Sequence, residues 1–351
     1  MKNFVVSAIL MLICSTSFAQ GPNDSGTYYQ AADGKKGAEL KTALCGIIYN
    51  RTERTYGNLW TDFQTTDKRT DGKVWDMYSN ATNFTFGSPY QDTGGAYDKS
   101  KPQEGQFYNR EHSWPNSWFG GSVQPMYTDL HHLYPTDKWV NSKRSNHPFG
   151  ETNGSWKSEN DFSKLGTCSY SGYTGTVFEP NDEYKGDFAR TYFYMVTCYE
   201  EKIVDWYTNF GVNNNDNSKK ETKNAVMATL DGSKYPGFSA WQLEMLLKWA
   251  KNDPVSEKET NRNKAVYGIQ ANRNPFIDYP GLEQYIWGNL TEQAFSYNNY
   301  VQPTGIGIVD VEADTTPAAI FSIDGRQLNQ PQKGVNIMKM KNGKTKKIIK
   351  K

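Results

Sequence analysis

All four histidines of the 351-residue chain fall between His112 and His147. Histidine has an ordinary pKa close to neutral pH and is a frequent metal ligand, so such a cluster can serve acid–base or metal chemistry. The same stretch holds oxygen donors and cations that could contact a phosphate, namely Glu111, Asp129, Asn141, Lys143 and Arg144. This combination predicts metal-assisted attack on a phosphate ester.

Hydrolysis of a phosphodiester needs an activated water, neutralisation of developing negative charge, and protonation of the leaving oxygen. A metal ion can supply the last two, and a neutral imidazole suits the first. Mg²⁺ prefers oxygen ligands and keeps several waters, so one carboxylate and one amide suffice on the protein side. Glu111, which adjoins His112, and Asn141 fit these requirements. The predicted ion is Mg²⁺, with Mn²⁺ or Ca²⁺ as substitutes.

Three elements are needed to bring these residues to one ion. Residues 74–78 and 106–108 are predicted strands that lead towards the site, because both are short apolar runs. A helix is predicted to begin at Thr136-Asp137 and to contain Asn141. A strand–strand–helix unit of this length could carry the amide to the same ion as the carboxylate.

The rest of the body, residues 20–295, is dominated by helical patterns in its second half. Three helices are predicted there, at about 187–206, at 241–250, and at 256–269 after a Ser-Glu-Lys-Glu capping box. The predicted fold class is therefore α+β, a mainly helical body with few strands.

The two ends of the chain differ from this body. Residues 1–19 have a charged start, an apolar run and a small-residue end, as in a secretory signal peptide. Residues 296–315 are a predicted linker, and 316–351 form a predicted small β module with an Asp-Gly turn signal. This tail resembles the C-terminal sorting domains of Bacteroidetes-type bacteria, which implies contact with secretion machinery. A β module that binds carbohydrate or anions is the alternative.

An exported chain can form disulfides, and three cysteines remain after the signal segment: Cys45, Cys168 and Cys198. Cys168–Cys198 is the expected pair by proximity, and buried free thiols are the alternative. No other segment is apolar enough to cross a bilayer. The mature protein is expected to be secreted, on the cell surface or periplasmic, and monomeric.

The charge distribution limits how the protein can bind nucleic acid. The chain has a net charge of +1, but Lys2 lies in the signal segment and eight lysines lie in residues 333–351. Subtracting these nine cations leaves a charge of −8 on the rest of the chain. A duplex binder that relies on bulk electrostatics would be basic. Any nucleic-acid contact must come from a local patch and a bound cation.

Four ordered motifs resemble those of the bacterial endonuclease I family. They are Arg-Glu-His-Ser-Trp-Pro at 110–115, Asp-Leu-His-His-Leu-Tyr-Pro at 129–135, Val-Asn-Ser-Lys-Arg-Ser-Asn at 140–146 and Gln-Ala-Asn-Arg-Asn-Pro-Phe at 270–276. The resemblance covers about residues 37–290. It implies a ββα-metal (His-Me finger) nuclease that cuts DNA, and often RNA, with little sequence preference. It also implies His112 as general base and Glu111 and Asn141 as magnesium ligands.

The chain departs from the family pattern at two places. The family has an arginine between the first two motifs that supports the transition state, but this chain has none between Ser113 and Lys143. Arg110 and Arg144 are the substitute candidates. The usual Asp-Leu-His-Asn is Asp-Leu-His-His here, so one of the two adjacent histidines is expected to support the site. The 270–276 motif is expected to contact the nucleic-acid backbone, with helix termination as the alternative.

The functional hypothesis is a secreted, Mg²⁺-dependent endonuclease that cleaves DNA without sequence preference. A broader form of the hypothesis adds RNA as a second substrate. A zinc hydrolase with histidine ligands is a second enzyme class, although the chain has no His-Glu-x-x-His spacing. A non-catalytic surface protein that binds nucleic acid or acts as an adhesin is the third alternative.

Overall fold

A computed structural model of the chain describes residues 21–92, 103–303, 317–322, 325–340 and 345–350. These residues belong to two compact units, with the division after Pro303. The predicted signal peptide, residues 1–19, lies outside the described residues. Within the described ranges, no helix is both long enough and apolar enough to span a membrane.

The first unit is built mainly of helices. Ten α-helices are formed by its described residues: α1 Gly37–Ile48, α2 Leu59–Thr66, α3 Lys138–Arg144, α4 Lys185–Cys198, α5 Glu200–Trp206, α6 Lys220–Thr229, α7 Ala240–Asn252, α8 Glu257–Gln270, α9 Pro275–Asp278 and α10 Leu282–Ile286. Helix α4 is buried along nearly its whole length and packs against α1, α7 and α9. It forms the centre of the core because aromatic and aliphatic side chains cover every face of it.

The predicted helices are present, with changes at their ends. The predicted helix at 187–206 is interrupted at Tyr199, whose φ of −108° and ψ of 30° are not helical, so α4 and α5 are separate. The capping box at Ser256 is confirmed: its side chain accepts from the Glu259 amide, and Glu259 accepts from the Ser256 amide. The helix that follows ends at Gln270, where Ala271 adopts a left-handed conformation.

Two antiparallel strands and one helix form the predicted strand–strand–helix unit. Strand β1, Tyr108–His112, pairs with β2, Leu133–Asp137, so that His112 lies opposite Leu133. Helix α3 follows β2 directly because the Asp137 side chain accepts hydrogen bonds from the first free amides of the helix. The helix predicted to contain Asn141 is therefore confirmed, together with the α+β class.

The strand predicted at 74–78 is wrong. This segment makes a single bridge, Lys68 to Val74, and then turns, because the Asp76 carboxylate accepts from the amides of Tyr78 and Ser79. The strand predicted at 106–108 begins only at Tyr108. The apolar pattern favours a strand, but the Asp76 side chain binds the backbone amides locally and a turn forms instead.

A second small sheet covers another part of the core. Its order is β3-β4-β5, formed by Trp156–Lys157, Lys164–Thr167 and Thr176–Glu179. The expected Cys168–Cys198 disulfide is wrong, since all three described cysteines are free and buried. The reason is placement: Cys198 lies inside α4 and its thiol faces the Ile48 carbonyl, whereas the Cys168 thiol faces the Tyr170 carbonyl.

Residues 296–303, the first part of the predicted linker, pack on the first unit. Tyr300 donates to the Pro280 carbonyl and lies against the rings of Tyr279 and Tyr285. This packing carries the first unit to Pro303, eight residues beyond the predicted end at 295. The remainder of the predicted linker lies outside the described residues.

The second unit is a four-stranded antiparallel sheet. Its order is β7-β6-β8-β9, formed by Gln327–Leu328, Pro317–Ser322, Gly334–Met340 and Thr345–Lys350. The predicted small β module at the end of the chain is thus present as a sheet.

Candidate active site

Glu111 is a buried carboxylate near the end of β1. It is 3% exposed, and its Oε1 accepts from the Tyr78 hydroxyl at 2.8 Å and from Arg144 at 3.1 Å. Burial raises the pKa of Glu111, and the Arg144 charge and the Tyr78 hydroxyl oppose that rise. Both hydrogen bonds converge on one oxygen. A side-chain hydrogen bond from Asn141 also lowers the pKa of this carboxylate.

Asn141 lies on α3 next to this carboxylate. Its Nδ2 donates to Asn109 Oδ1 at 2.8 Å, and an interaction with the Asn141 side chain lowers the pKa of Glu111. Asn109 and Glu111 are two residues apart on β1, so they share one face of the strand, and α3 packs against that face. Because Nδ2 is held by Asn109, the carbonyl oxygen of Asn141 remains as an acceptor for a cation.

His112, the last residue of β1, is held by a backbone carbonyl. Its Nε2 lies 3.0 Å from the Tyr127 carbonyl oxygen. A carbonyl can only accept, so the proton of the neutral imidazole is on Nε2 and the lone pair is on Nδ1. Burial, with the nearby His132 and Arg110, lowers the pKa of His112 to about 3. The ring is therefore an uncharged acceptor at neutral pH.

The imidazole is also fixed by ring stacking. The Tyr127 ring lies 5.1 Å from it at an interplanar angle of 17°, and the Tyr56 ring lies 4.5 Å from Tyr127 at 23°. Phe119 meets the imidazole edge-on at 6.2 Å. One residue, Tyr127, thus provides both the hydrogen-bond acceptor and a stacking partner for His112.

Arg144 lies on the buried side of the Glu111 carboxylate. Its guanidinium is 1% exposed and bonds to Glu111, to the His112 carbonyl at 3.0 Å, and to the carbonyl of Ser113. These bonds tie α3 to the end of β1 and partly compensate the Glu111 charge. This position gives no support to Arg144 as the arginine of the transition state, because both of its Nη atoms bond inside the protein and its Nε is buried.

Arg110 lies on the same side of β1 as His112. Its guanidinium carbon is 3.5 Å from the centre of the Tyr56 ring and 4.2 Å from that of Trp60, and Nη1 donates to the Tyr56 carbonyl at 2.8 Å. It forms no ion pair with any described carboxylate. Of the two arginine candidates, Arg110 is the one whose charge remains available for a phosphate.

The other histidines are held by internal acceptors. His131 Nε2 faces the Asn272 carbonyl at 3.2 Å, and His132 Nε2 faces the Met126 carbonyl at 2.7 Å. Burial lowers the pKa of each to about 4. His147 is paired at 3.6 Å with Glu221.

No three histidine, cysteine, aspartate or glutamate side chains converge among the described residues in a way that could hold a metal. The four clustered histidines therefore provide no nitrogen-rich zinc site in that part of the chain.

Asp129 is the centre of a buried polar network that the sequence reasoning did not identify. The carboxylate is fully buried and accepts from the hydroxyls of Tyr194 and Tyr199 and from Gln270 Nε2, each at 2.8 Å, and it pairs with Arg51 at 3.1 Å. Burial alone would raise the pKa of Asp129, but the Arg51 charge holds it below its usual range. Among these partners only Gln270 belongs to a recognised motif.

The expectation that residues 270–276 contact nucleic acid is wrong. Gln270 is fully buried and also accepts from the Leu130 amide at 3.0 Å, and Asn272 donates to the Ile48 carbonyl. Arg273 makes a two-point ion pair with Asp278 at 2.7 Å. The motif is internal because it holds the loop before β2, which carries Asp129 and the carbonyl that binds His112.

Together, the geometry presents one carboxylate oxygen, one amide oxygen and one neutral imidazole at the end of a strand. Two oxygen donors, with waters as the other ligands, are a set that a hard divalent cation such as Mg²⁺ prefers. They do not fit zinc, which favours three or four protein ligands that include nitrogen or sulfur. This donor set, with an uncharged base beside it, suits hydrolysis of a phosphate ester.

Comparison with known proteins agrees with this chemistry. The model of the family described as Endonuclease I matches residues 36–281. An extracellular ribonuclease of Bacillus amyloliquefaciens is 36% identical over 267 residues, which cover 75% of this chain and 79% of that protein. The extracellular ribonuclease of Bacillus subtilis (strain 168) is 35% identical over 269 residues, which also cover 75% of this chain and 79% of that protein.

More distant relatives carry an endonuclease name. Endonuclease-1 of Buchnera aphidicola subsp. Acyrthosiphon pisum is 28% identical over 151 residues, which cover 43% of this chain and 44% of that protein. The family model covers well over half of the chain, and the Bacillus relatives exceed 30% identity along most of their length. The chain therefore belongs to the endonuclease I family, and it is a nucleic-acid hydrolase.

Proposed function

We propose that the protein is an exported, Mg²⁺-dependent endonuclease that cleaves both RNA and DNA with little sequence preference. The observation that carries the proposal is the hydrogen bond from His112 Nε2 to the Tyr127 carbonyl. This bond leaves Nδ1 as the acceptor, on the residue that directly follows Glu111 in β1. The names of the two Bacillus relatives support RNA as a substrate, and the Buchnera relative supports endonucleolytic cleavage.

In the proposed mechanism, Nδ1 of His112 accepts a proton from the attacking water, while the Tyr127 carbonyl and the stacked rings hold the imidazole in place. The Glu111 carboxylate and the Asn141 carbonyl oxygen would hold the ion. When bound, Mg²⁺ supplies charge neutralisation at the phosphate and acidifies coordinated water. Arg110 contacts a non-bridging phosphate oxygen. The water oxygen bonds to phosphorus while the bond from phosphorus to the 3′ oxygen breaks, and the leaving oxygen takes a proton, so the products carry a 5′ phosphate and a 3′ hydroxyl.

Incubation of the mature protein with supercoiled plasmid DNA and with single-stranded RNA tests the proposal. Both should be cut with Mg²⁺, neither with a chelator, and Zn²⁺ should not restore activity. The variant His112→Ala should lose activity by a factor of about 10² to 10⁴ yet bind nucleic acid normally. His147→Ala, which changes a histidine outside the site, is the matched control and should remain active.

Three results would contradict the proposal. Absence of nicking by the folded wild type over a range of salt and divalent ions would favour the non-catalytic alternative. Full activity of His112→Ala would remove the proposed base. RNA products that end in a 2′,3′-cyclic phosphate would show that the 2′ hydroxyl, not water, is the nucleophile.

The proposed export rests on the signal-like segment at 1–19 and on relatives whose names include the word extracellular. The C-terminal sheet is proposed to act as a sorting domain that contacts secretion machinery. Deleting residues 304–351 should leave the nuclease active but retain it in the cell. Normal export of the shortened chain would refute the sorting role.

A further inference from the structure

The surface around the start of α6 combines exposed cations with exposed apolar side chains. Lys219 and Lys220 are exposed and Lys223 is half-buried. Beside them, three apolar side chains are more than 40% exposed: Val123, Val212 and Met227. We call this set of six residues the α6 surface.

The apolar half of the α6 surface is assembled by two close approaches. A π-helix at Tyr207–Val212 lies against α6 through Gly211, where an added Cβ would be 3.1 Å from Met227 Cγ. At Gly120, with φ of +97°, an added Cβ would be 2.9 Å from the Phe210 ring and 3.4 Å from Val123. A side chain at Gly120 would therefore push the two segments apart. The close packing at Gly120 and Gly211 therefore holds Val123, Val212 and Met227 in their exposed positions.

The lysines have little internal compensation. Lys220 has no ion pair among the described residues, and Lys223 Nζ bonds only the Val212 carbonyl, at 3.3 Å. Lys219 lies 3.9 Å from Asp216, so its charge is partly balanced. Glu221, the acid within this run, is engaged by Ser145 Oγ and the following amide. Two cations are thus left for an external anion, on a body whose other residues sum to a negative charge.

Helix α6, which carries part of the α6 surface, contacts the segments that follow β1 and α3. Thr222 Oγ1 bonds Ser117 Oγ at 3.3 Å, in the short 3-10 turn Asn116–Phe119 whose last ring touches His112. Glu221 reaches the residues that directly follow α3. Helix α6 is therefore connected to the His112 imidazole through Ser117 and Phe119 of one short turn.

We propose that the α6 surface is a second binding site for the substrate strand, outside the site where the bond is cut. Lys220 and Lys223 bind backbone phosphates, and the apolar groups contact bases or sugars that a single strand exposes. Proteins that bind single strands combine cations along the backbone with aromatic side chains that stack on bases, and on the α6 surface aliphatic side chains take the position of the aromatic ones. This inference rests on the proposed function for the identity of the ligand.

Binding in the absence of metal tests this site separately from cleavage. A fluorescent 20-nucleotide RNA and a 3-nucleotide RNA are titrated with the wild type and with Lys220→Gln/Lys223→Gln in a chelator, at several salt concentrations. The variant should bind the 20-mer about tenfold more weakly at low salt, and its salt slope should fall by about 1.4, because each lost phosphate contact removes roughly 0.7. Binding of the 3-mer should not change. Val212→Ser/Met227→Ser should weaken 20-mer binding without altering the slope.

The matched control is Lys35→Gln/Lys251→Gln, which removes two exposed lysines elsewhere on the first unit. It should change neither affinity nor slope. In cleavage assays the Lys220/Lys223 variant should raise KM for the 20-mer and leave kcat unaltered.

Equal affinity and slope for the wild type and the Lys220/Lys223 variant would overturn the second site while leaving the proposed nuclease intact. An equal loss in the control pair would assign the effect to general charge and would also overturn it. Absence of cleavage by the wild type, with normal oligonucleotide binding, would instead refute only the proposed activity.

Discussion

Replacing Gln270 by methionine distinguishes an internal brace from a nucleic-acid contact. The side chain is fully buried, donates to the Asp129 carboxylate at 2.8 Å and to Asn272 Oδ1 at 2.7 Å, and accepts from the Leu130 amide at 3.0 Å. Methionine has a similar volume but can replace none of these three bonds. Gln270→Met should therefore destabilise the first unit while leaving direct contacts to substrate unchanged.

The size of this effect can be worked from the three lost bonds. A hydrogen bond to a buried charged group contributes about 1.5–3 kcal/mol, a buried amide left without a partner costs about 1–3 kcal/mol, and a neutral bond contributes about 0.5–1.5 kcal/mol. The free energy of unfolding should fall by about 3–7 kcal/mol in total. The loss should exceed that of an ordinary surface change by a wide margin, since such changes stay within about 0.5 kcal/mol.

Urea unfolding followed by tryptophan fluorescence measures this change, with Gln293→Met as the exposed control. The salt dependence of RNA binding is measured on the same samples below the unfolding transition. A loss of less than about 1 kcal/mol, combined with a weaker salt slope, would refute the brace and restore the nucleic-acid contact that the motif pattern favours.

Three further predictions concern stability. His131 and His132 have pKa values of about 4 in the folded protein, against about 6.5 in the unfolded chain. As the pH falls, the unfolded chain therefore binds protons first. The free energy of unfolding should be at its maximum above pH 6.5 and should fall by up to about 3 kcal/mol per histidine as the pH drops to 4. In urea titrations from pH 7.5 to 4.5, the wild type should lose more stability than His132→Gln, and parallel losses would contradict this. Ser256→Ala removes the capping box of α8 and should cost about 1 kcal/mol in thermal or urea unfolding, whereas an unchanged midpoint would contradict the cap. Arg144→Met leaves Glu111 buried without its cation and should lower the free energy of unfolding by about 3–5 kcal/mol. Added Mg²⁺ should reduce the difference in Tm between this variant and the wild type. If Mg²⁺ increased that difference, the result would count against an ion at this carboxylate.

The sequence is most informative where chemistry and local signals coincide. Asp137 at the start of α3 is a standard N-cap, so this one residue predicts where the helix that carries Asn141 begins. The capping box at Ser256 is predictable for the same reason. Both are interactions between residues close in sequence, and their geometry follows from the residue types alone.

Long-range partners cannot be derived in this way. The contact between Gln270 and Asp129 spans a separation of 141 residues, and nothing in either motif indicates that the other completes its hydrogen bonds. Tyr78, which holds Glu111, lies in a segment whose apolar pattern favours a strand. The Asp76 carboxylate turns this segment instead, and that turn depends on burial that the sequence does not reveal.

The division between the two arginine candidates illustrates the same limit. Arg110 and Arg144 are equivalent as charges in the sequence, but strand alternation and helix position send them to opposite sides of Glu111-His112. Arg144 meets the buried side and binds three acceptors there, whereas Arg110 is held by the faces of Tyr56 and Trp60, which bind a cation without neutralising it. A charge that is stacked rather than paired keeps its attraction for phosphate. The side of the strand, more than the residue type, therefore decides which arginine can act on the substrate.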